Sequence, residues 1–383
     1  MSHLAFLSIF LKISPNFCYA KKVGAYLQIY TNSHRVVDKS LENHYKLCPF
    51  LVKILIDYFF LFFYNVLMDS QSAQALAKAQ ALIEQGDCVQ AKTVLEDALP
   101  ADLDNEDLST AISFCAFWNE NLEDMQKMTA IEQGELLISQ WNHFIVLINK
   151  FSNPNELTLY AFKKGIYTRA LASFMEADDE NDPKMRAELC RKKGLCKKRL
   201  GDYEEALELL NKANSEFSGQ SVILAERADC YDLCGETKLA KILFREAFFQ
   251  DPESIELDNL DSPLIRGLID RVQQEGYTGR PLHEWIGPYG ILLGVFNIKR
   301  PLRSQEVGRL KQDIYAKESE NKDPANDSEI IVPRLMNLYL WLLDYYLLSK
   351  ESINKIKELL LKIKLLDPDI YKEYFSLNEQ KSR

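Results

Sequence analysis

The chain is short of the residues that break regular structure. Its 383 residues include 15 glycines and 13 prolines, which argues against turn-rich β structure and for long regular elements. Histidine is scarcer still: there are five, and His3, His34 and His44 fall in the first 67 residues. Only His143 and His283 remain in the body, so a histidine-rich metal site or a Ser-His-Asp triad is hard to assemble. No Walker lysine, GxSxG or HExxH occurs, and "GPYGILLG" (287–294) lacks the GxGxxG spacing. "DDENDP" (178–183) has acids like those of an EF-hand loop. It lacks that loop's central Gly and twelfth-position Glu and reads as an inter-helix connection. Positive charge is also in deficit, with a net charge of −10, which argues against nucleic acid as a partner. The expectation is a protein that is not an enzyme, with no catalytic residues, no cofactor and no metal.

Composition shifts near residue 67. Residues 1–67 hold 14 of the 42 aromatics and a charge of +4, against −14 for the remainder. "LAFLSIFL" (4–11) resembles a signal-peptide core without its basic flank. The run at 49–67 is long enough for a membrane anchor, but Lys53, Asp57 and Asn65 interrupt it. The preferred reading places the start at Met68, with mis-annotated upstream translation before it. The eight cysteines do not make a compact disulfide framework. Reduced thiols in the cytoplasm are expected, with membrane attachment only if 49–67 is a genuine anchor.

What the chain does have is an internal repeat. "GDYEEALELLNKA" (201–213) aligns with "GETKLAKILFREA" (235–247). Gly201 answers Gly235, Ala206 answers Ala240, Leu210 answers Phe244 and Ala213 answers Ala247, each 34 residues on. Upstream, Gly194 answers Ala228 and Cys196 answers Cys230. Looser copies occur at 86–98 (Gly86, Ala91, Leu95, Ala98) and 165–177 (Gly165, Tyr167, Ala170, Phe174, Ala177). A faint copy ends at Asp367-Pro368. Apolar residues at three- and four-residue spacing on both sides of a glycine describe antiparallel helix pairs. The glycine reverses the chain, and alanines let helices approach closely. One pair cannot bury its apolar face alone, so pairs must stack.

This pattern resembles the tetratricopeptide repeat (TPR) family, whose period is about 34 residues. The resemblance rests on Gly194, Gly201, Tyr203, Ala206 and Ala213, then Ala228, Tyr231, Gly235, Ala240, Phe244, Ala247 and Pro252. It is good over 154–252, fair over 72–100 and weak elsewhere. It implies an all-α fold, an αα-hairpin superhelix or TPR-like solenoid with degenerate C-terminal helical units. The expected organisation is an N-terminal extension (1–67), helical repeats (68–260) and a C-terminal helical region (261–383). In the latter, 263–275 reads as a short helix followed by an irregular turn. Helices are expected at 302–318, 332–348 and 352–366.

By the same resemblance, the first helix of each unit lines a concave groove that binds a peptide. "CRKKGLCKKRLG" (190–201) concentrates positive charge on one such helix. Arg191, Lys192, Leu195, Lys198 and Arg199 are the groove candidates, and the partner is another protein or an acidic peptide segment. A competing reading pairs these cations with Glu226, Asp229 and Asp232 on the next unit. The family's carboxylate-clamp ligand is not expected, because the clamp positions hold Leu76 and Gln80. The function expected is a non-catalytic interaction scaffold or adaptor. Two alternatives stay open. One is a membrane-attached TPR protein of an envelope complex. The other is a small-ligand or metal-binding protein using Cys190, Cys196, Cys230 and Cys234, or a pocket around Trp285 and Tyr289. For the cysteines, small buried hydrophobes filling helix contacts is the simpler reading.

Overall fold

The computed structural model describes residues 71–177 and 182–381, with side chains to residue 374. These residues belong to one unit that begins at Gln71. The readings placed on 1–67, on Met68 and on 178–181 lie outside them. Among the described residues there are fifteen α-helices and no β-strand. None of those helices is long and apolar enough to cross a membrane.

The first nine helices are α1 (71–84), α2 (Cys88–Ala98), α3 (Glu106–Asn121), α4 (Ala130–Ile148), α5 (Glu156–Glu176), α6 (Pro183–Leu200), α7 (Tyr203–Glu216), α8 (Ser221–Leu233) and α9 (Thr237–Gln250). Their starts follow local chemistry. Asn105, Thr129, Asn155 and Asp182 each cap the following helix by accepting a backbone N–H. Thr129 and Glu132 complete a reciprocal capping box.

Three of the reversals are the same turn. Gly86, Gly201 and Gly235 are left-handed, with φ of 83°, 93° and 85°. In each, the residue after the glycine donates its N–H back across the turn: Asp87 to Leu82, Asp202 to Lys197 and Glu236 to Tyr231. This is the glycine-closed helix terminus that satisfies orphan carbonyls. The turns at Gly201 and Gly235 lead into α7 and α9. There Ala206, Ala213, Ala240 and Ala247 are all fully buried. Consecutive helices pack: α6 with α7, α7 with α8 and α8 with α9. Gly194 admits α7 closely, since a Cβ there would lie 2.9 Å from Leu210 Cγ.

Gly165 behaves differently. It was expected to open a helix pair, as in the other copies. It instead sits in the middle of α5, a continuous helix of 21 residues. A Cβ at Gly165 would collide with the backbone carbonyl of Ile83 on α1. The glycine is there for helix contact, and sequence alone does not separate that use from a turn.

Six helices follow: α10 (Pro263–Gln274), α11 (Gly279–Leu292), α12 (Ser304–Glu320), α13 (Ser328–Leu348), α14 (Ile353–Leu366) and α15 (Pro368–Lys381). The expected irregular turn after 275 is limited to a few residues. Most of that stretch is α11, helical through Gly287, Pro288 and Gly290. Packing explains the glycines: a Cβ at Gly287 would lie 2.5 Å from Asn337 Nδ2, and one at Gly290 would enter the Phe296 ring. α13 is buried almost all round and packs against α11, α12 and α14. Besides two small clusters at 187–223 and 206–230, two large apolar cores result, one drawing on 79–196 and the other on 224–370. The second runs continuously across the division expected at 260/261.

Candidate functional site

The five groove candidates lie together on α6, and none offers a free charge to solvent. Arg191 is buried and forked among carboxylates: Glu188 at 2.7 Å, Glu226 of α8 at 2.5 Å and Glu256 at 3.1 Å. Lys192 reaches Glu135 of α4 at 2.8 Å. Leu195 is fully buried in the N-terminal core. Lys198 is sealed from solvent, 2.7 Å from Asp229 of α8, and also donates to the Asn259 carbonyl. Arg199 pairs with Asp261 and donates to the Asp258 carbonyl at 2.6 Å.

The competing reading of the cations is therefore realised in part. Glu226 and Asp229 do take up charge from α6. The partners are one turn or one residue off the simple offset, Arg191 with Glu226 and Lys198 with Asp229. Asp232 faces elsewhere and accepts the Thr237 hydroxyl at 2.8 Å. All five candidates are buried or engaged within the chain itself.

The remaining acceptors come from a stretch that sequence reasoning passed over. After Pro252 the chain reads "ESIELDNLDS" (253–262), with four acids and no base. It crosses the α6–α8 face as two single turns, Pro252–Ser254 and Leu257–Asn259, joined by extended backbone. Glu256 takes Arg191, while Asp261 takes Arg199. The Asn259 carbonyl accepts from Lys198. Asp229 accepts the backbone N–H of Asp261 at 2.9 Å and of Ser262 at 2.8 Å. That fixes the entry into α10 from a distant helix. Ile255, Leu257 and Leu260 turn inward and are buried in the second core. Alternation of acidic and apolar residues directly after the last repeat was the available signal. The loss of the 34-residue period hid it.

Electrostatics follow from this packing. Burial pushes the Asp229 carboxyl up. Lys198 and the two N–H donors outweigh it, holding Asp229 below its ordinary value of 3.8. Burial favours the neutral amine at Lys198, but Asp229 and Asp261 reverse the balance and raise it above 10.5. Glu226 goes the other way: burial lifts its carboxyl above 4.5 despite Arg191 and Lys198. Consistent with that, Glu226 Oε2 has no hydrogen-bond partner among the described residues.

The cysteines are separate small fillers. Cys190, Cys196 and Cys230 are buried free thiols, and burial pushes Cys196 and Cys230 up to about 12. A thiol held there is a poor nucleophile and a poor metal ligand at neutral pH. Among the described residues no cluster of three or more His, Cys, Asp or Glu could hold a metal ion. Trp285 lines a cavity of about 470 Å³ with Tyr277 and Glu329. Tyr289 lies against Trp285, ring centroids 5.8 Å apart, outside the cavity lining. At one clamp position, Gln80 is engaged internally, donating to Thr158 at 3.0 Å. Neither a scan against protein-family models nor a search among curated proteins finds a match to this chain.

Proposed function

We propose that the chain is a non-catalytic protein-interaction scaffold of TPR type, whose α6–α8 face forms the wall of a groove for an acidic, extended segment. One observation carries the reading. That face already holds such a segment, residues 253–262, and grips it through both carboxylates and backbone. Backbone recognition suits an extended guest, and the buried cations favour an acidic one. The matched turns at Gly201 and Gly235 support the repeat architecture on which the groove depends. The preferred setting is the cytoplasm, with no cofactor required.

The test is capture of partners by the full chain from the cells that make it, followed by cross-link mapping. Cross-links from a stable partner to Glu188 or the 253–262 segment are expected. Cross-links confined to other surfaces, or no stable partner, would overturn the groove reading.

A further inference from the structure

Resting on that scaffold reading, we propose that residues 253–262 are a resident ligand of the α6–α8 face, and that a partner with an acidic extended segment binds by exchange with them. Three features support exchange over a permanent strut.

The first is the division of acceptors. The deepest cations have a second carboxylate that stays behind when the segment leaves. Arg191 keeps Glu226 and Glu188, and Lys198 keeps Asp229. The emptied face would not strand bare charges, which is the main penalty for breaking a buried pair. Arg199 is the exception. Its one carboxylate, Asp261, and the Asp258 carbonyl are both in the segment, and Tyr167 of α5 would stay beside it. Arg199 is therefore the cation that an incoming carboxylate must satisfy.

The second is space. A cavity of about 550 Å³ lies against the segment, lined by Glu256 and Asp258 together with Asn142, Arg266 and His283. The segment's acidic residues Glu253, Glu256 and Asp258 are exposed, while Ile255, Leu257 and Leu260 are the buried anchors. The third is connectivity: the segment is tethered at both ends, by α9 and by α10. A short tether gives an effective concentration of order mM. A guest in trans at micromolar concentration competes only when it binds better or when the resident is weakened.

A labelled peptide of sequence ESIELDNLDS, titrated into the full chain, tests this. The wild-type chain is expected to bind it weakly. The double variant Glu256→Lys with Asp261→Lys repels the resident segment from Arg191 and Arg199, and should bind the peptide about tenfold or more tightly. Adding Arg199→Glu to that variant should remove the gain. A double variant that unfolds cooperatively, as wild type does, yet gains no affinity would overturn the proposal.

Hydrogen exchange on the wild-type chain decides the matter if the variant does not fold. The amides of Asp261 and Ser262 should exchange about tenfold or more faster than those of Ala228 and Asp229 in α8, by local opening. Equal rates, limited by global unfolding, would make the segment a fixed strut. The two readings fail separately. Peptide binding without any cellular partner would leave exchange standing and the scaffold reading fallen. A partner cross-linked to the face while the Asp261 and Ser262 amides keep their protection would do the reverse.

Discussion

The helix pairs at 71–177 and those at 183–250 hold together by different chemistry. The first region is a nest of aromatic rings. Phe114, Phe144 and Phe162 meet one another with centroids 5.0–6.1 Å apart, and Trp118 and Trp141 flank Phe144 at 5.3 and 5.5 Å. The second is a seam of alanine and cysteine with single aliphatics, Leu210 and Ile223, and buried ion pairs standing between α6 and α8. Both make antiparallel helix pairs. Aromatic packing tolerates irregular spacing because large rings fill whatever gap the backbone leaves. A small-residue seam with paired charges fixes the separation of helices and so demands a strict repeat. The repeat is visible where packing is tight and charged, and fades where it is aromatic.

The largest expected effect sharpens this contrast. Lys198→Met leaves Asp229 buried without its cation and should cost about 3–5 kcal/mol in urea unfolding. Adding Asp229→Leu should not restore the loss, because the N–H groups of Asp261 and Ser262 then lose their acceptor. Recovery to wild-type stability would mean that the pair is a plain insertion into an apolar seam.

Next comes the aromatic region. Phe144→Ala should cost about 3–4 kcal/mol through the cavity it leaves, and its cost should not change with salt. Gly165→Ala should cost about 2–3 kcal/mol, because the new methyl displaces the Ile83 carbonyl and with it α1. A neutral outcome would mean that α1 does not press on α5 at Gly165.

A smaller effect separates the regions by pH. The folded-state value of Asp229 lies below 3.8, so its contribution is complete above about pH 4–5 and is lost as pH falls through the folded value. Lys198 lies above 10.5, so its contribution is present below that value and lost as pH rises through the folded one. Hydrogen exchange in acid should open α6, α8 and 253–262 before α3 to α5, and Asp229→Asn should flatten that dependence. Smallest of all, Gly201→Ala and Gly235→Ala should each cost about 1 kcal/mol for a side chain at positive φ. Unequal costs would argue that the two turns are not equivalent.

Much of this was legible in the residues. Gly201 and Gly235 announce their turns because each stands between two apolar-periodic runs, and their alanines repeat at the same distance. The apolar run at 332–348 announced a helix, realised as α13. Other features were opaque for identifiable reasons. Gly165 has the same neighbours as a turn glycine, yet its role is set by Ile83, more than eighty residues earlier in the chain. Gly287, Pro288 and Gly290 look like helix breakers until Asn337 and Phe296 are known to lie against them. Four of the six basic residues at 191–199 appeared as charge available to a partner or to α8, and two of them, Arg191 and Lys198, do pair with α8. What local pattern could not show was the return of residues 253–262 across the same helix, a contact some sixty residues away in sequence.

The central claim is that this acidic segment is held on the α6 face by its charges as well as by its apolar anchors. A double-mutant cycle between Arg199→Met and Asp261→Asn, read by urea unfolding of the full chain, tests it most directly. Because Arg199 draws its one carboxylate from the segment, a coupling of about 1–3 kcal/mol is expected. Additive costs, with no coupling, would mean that the segment does not rest on α6 and would contradict the account.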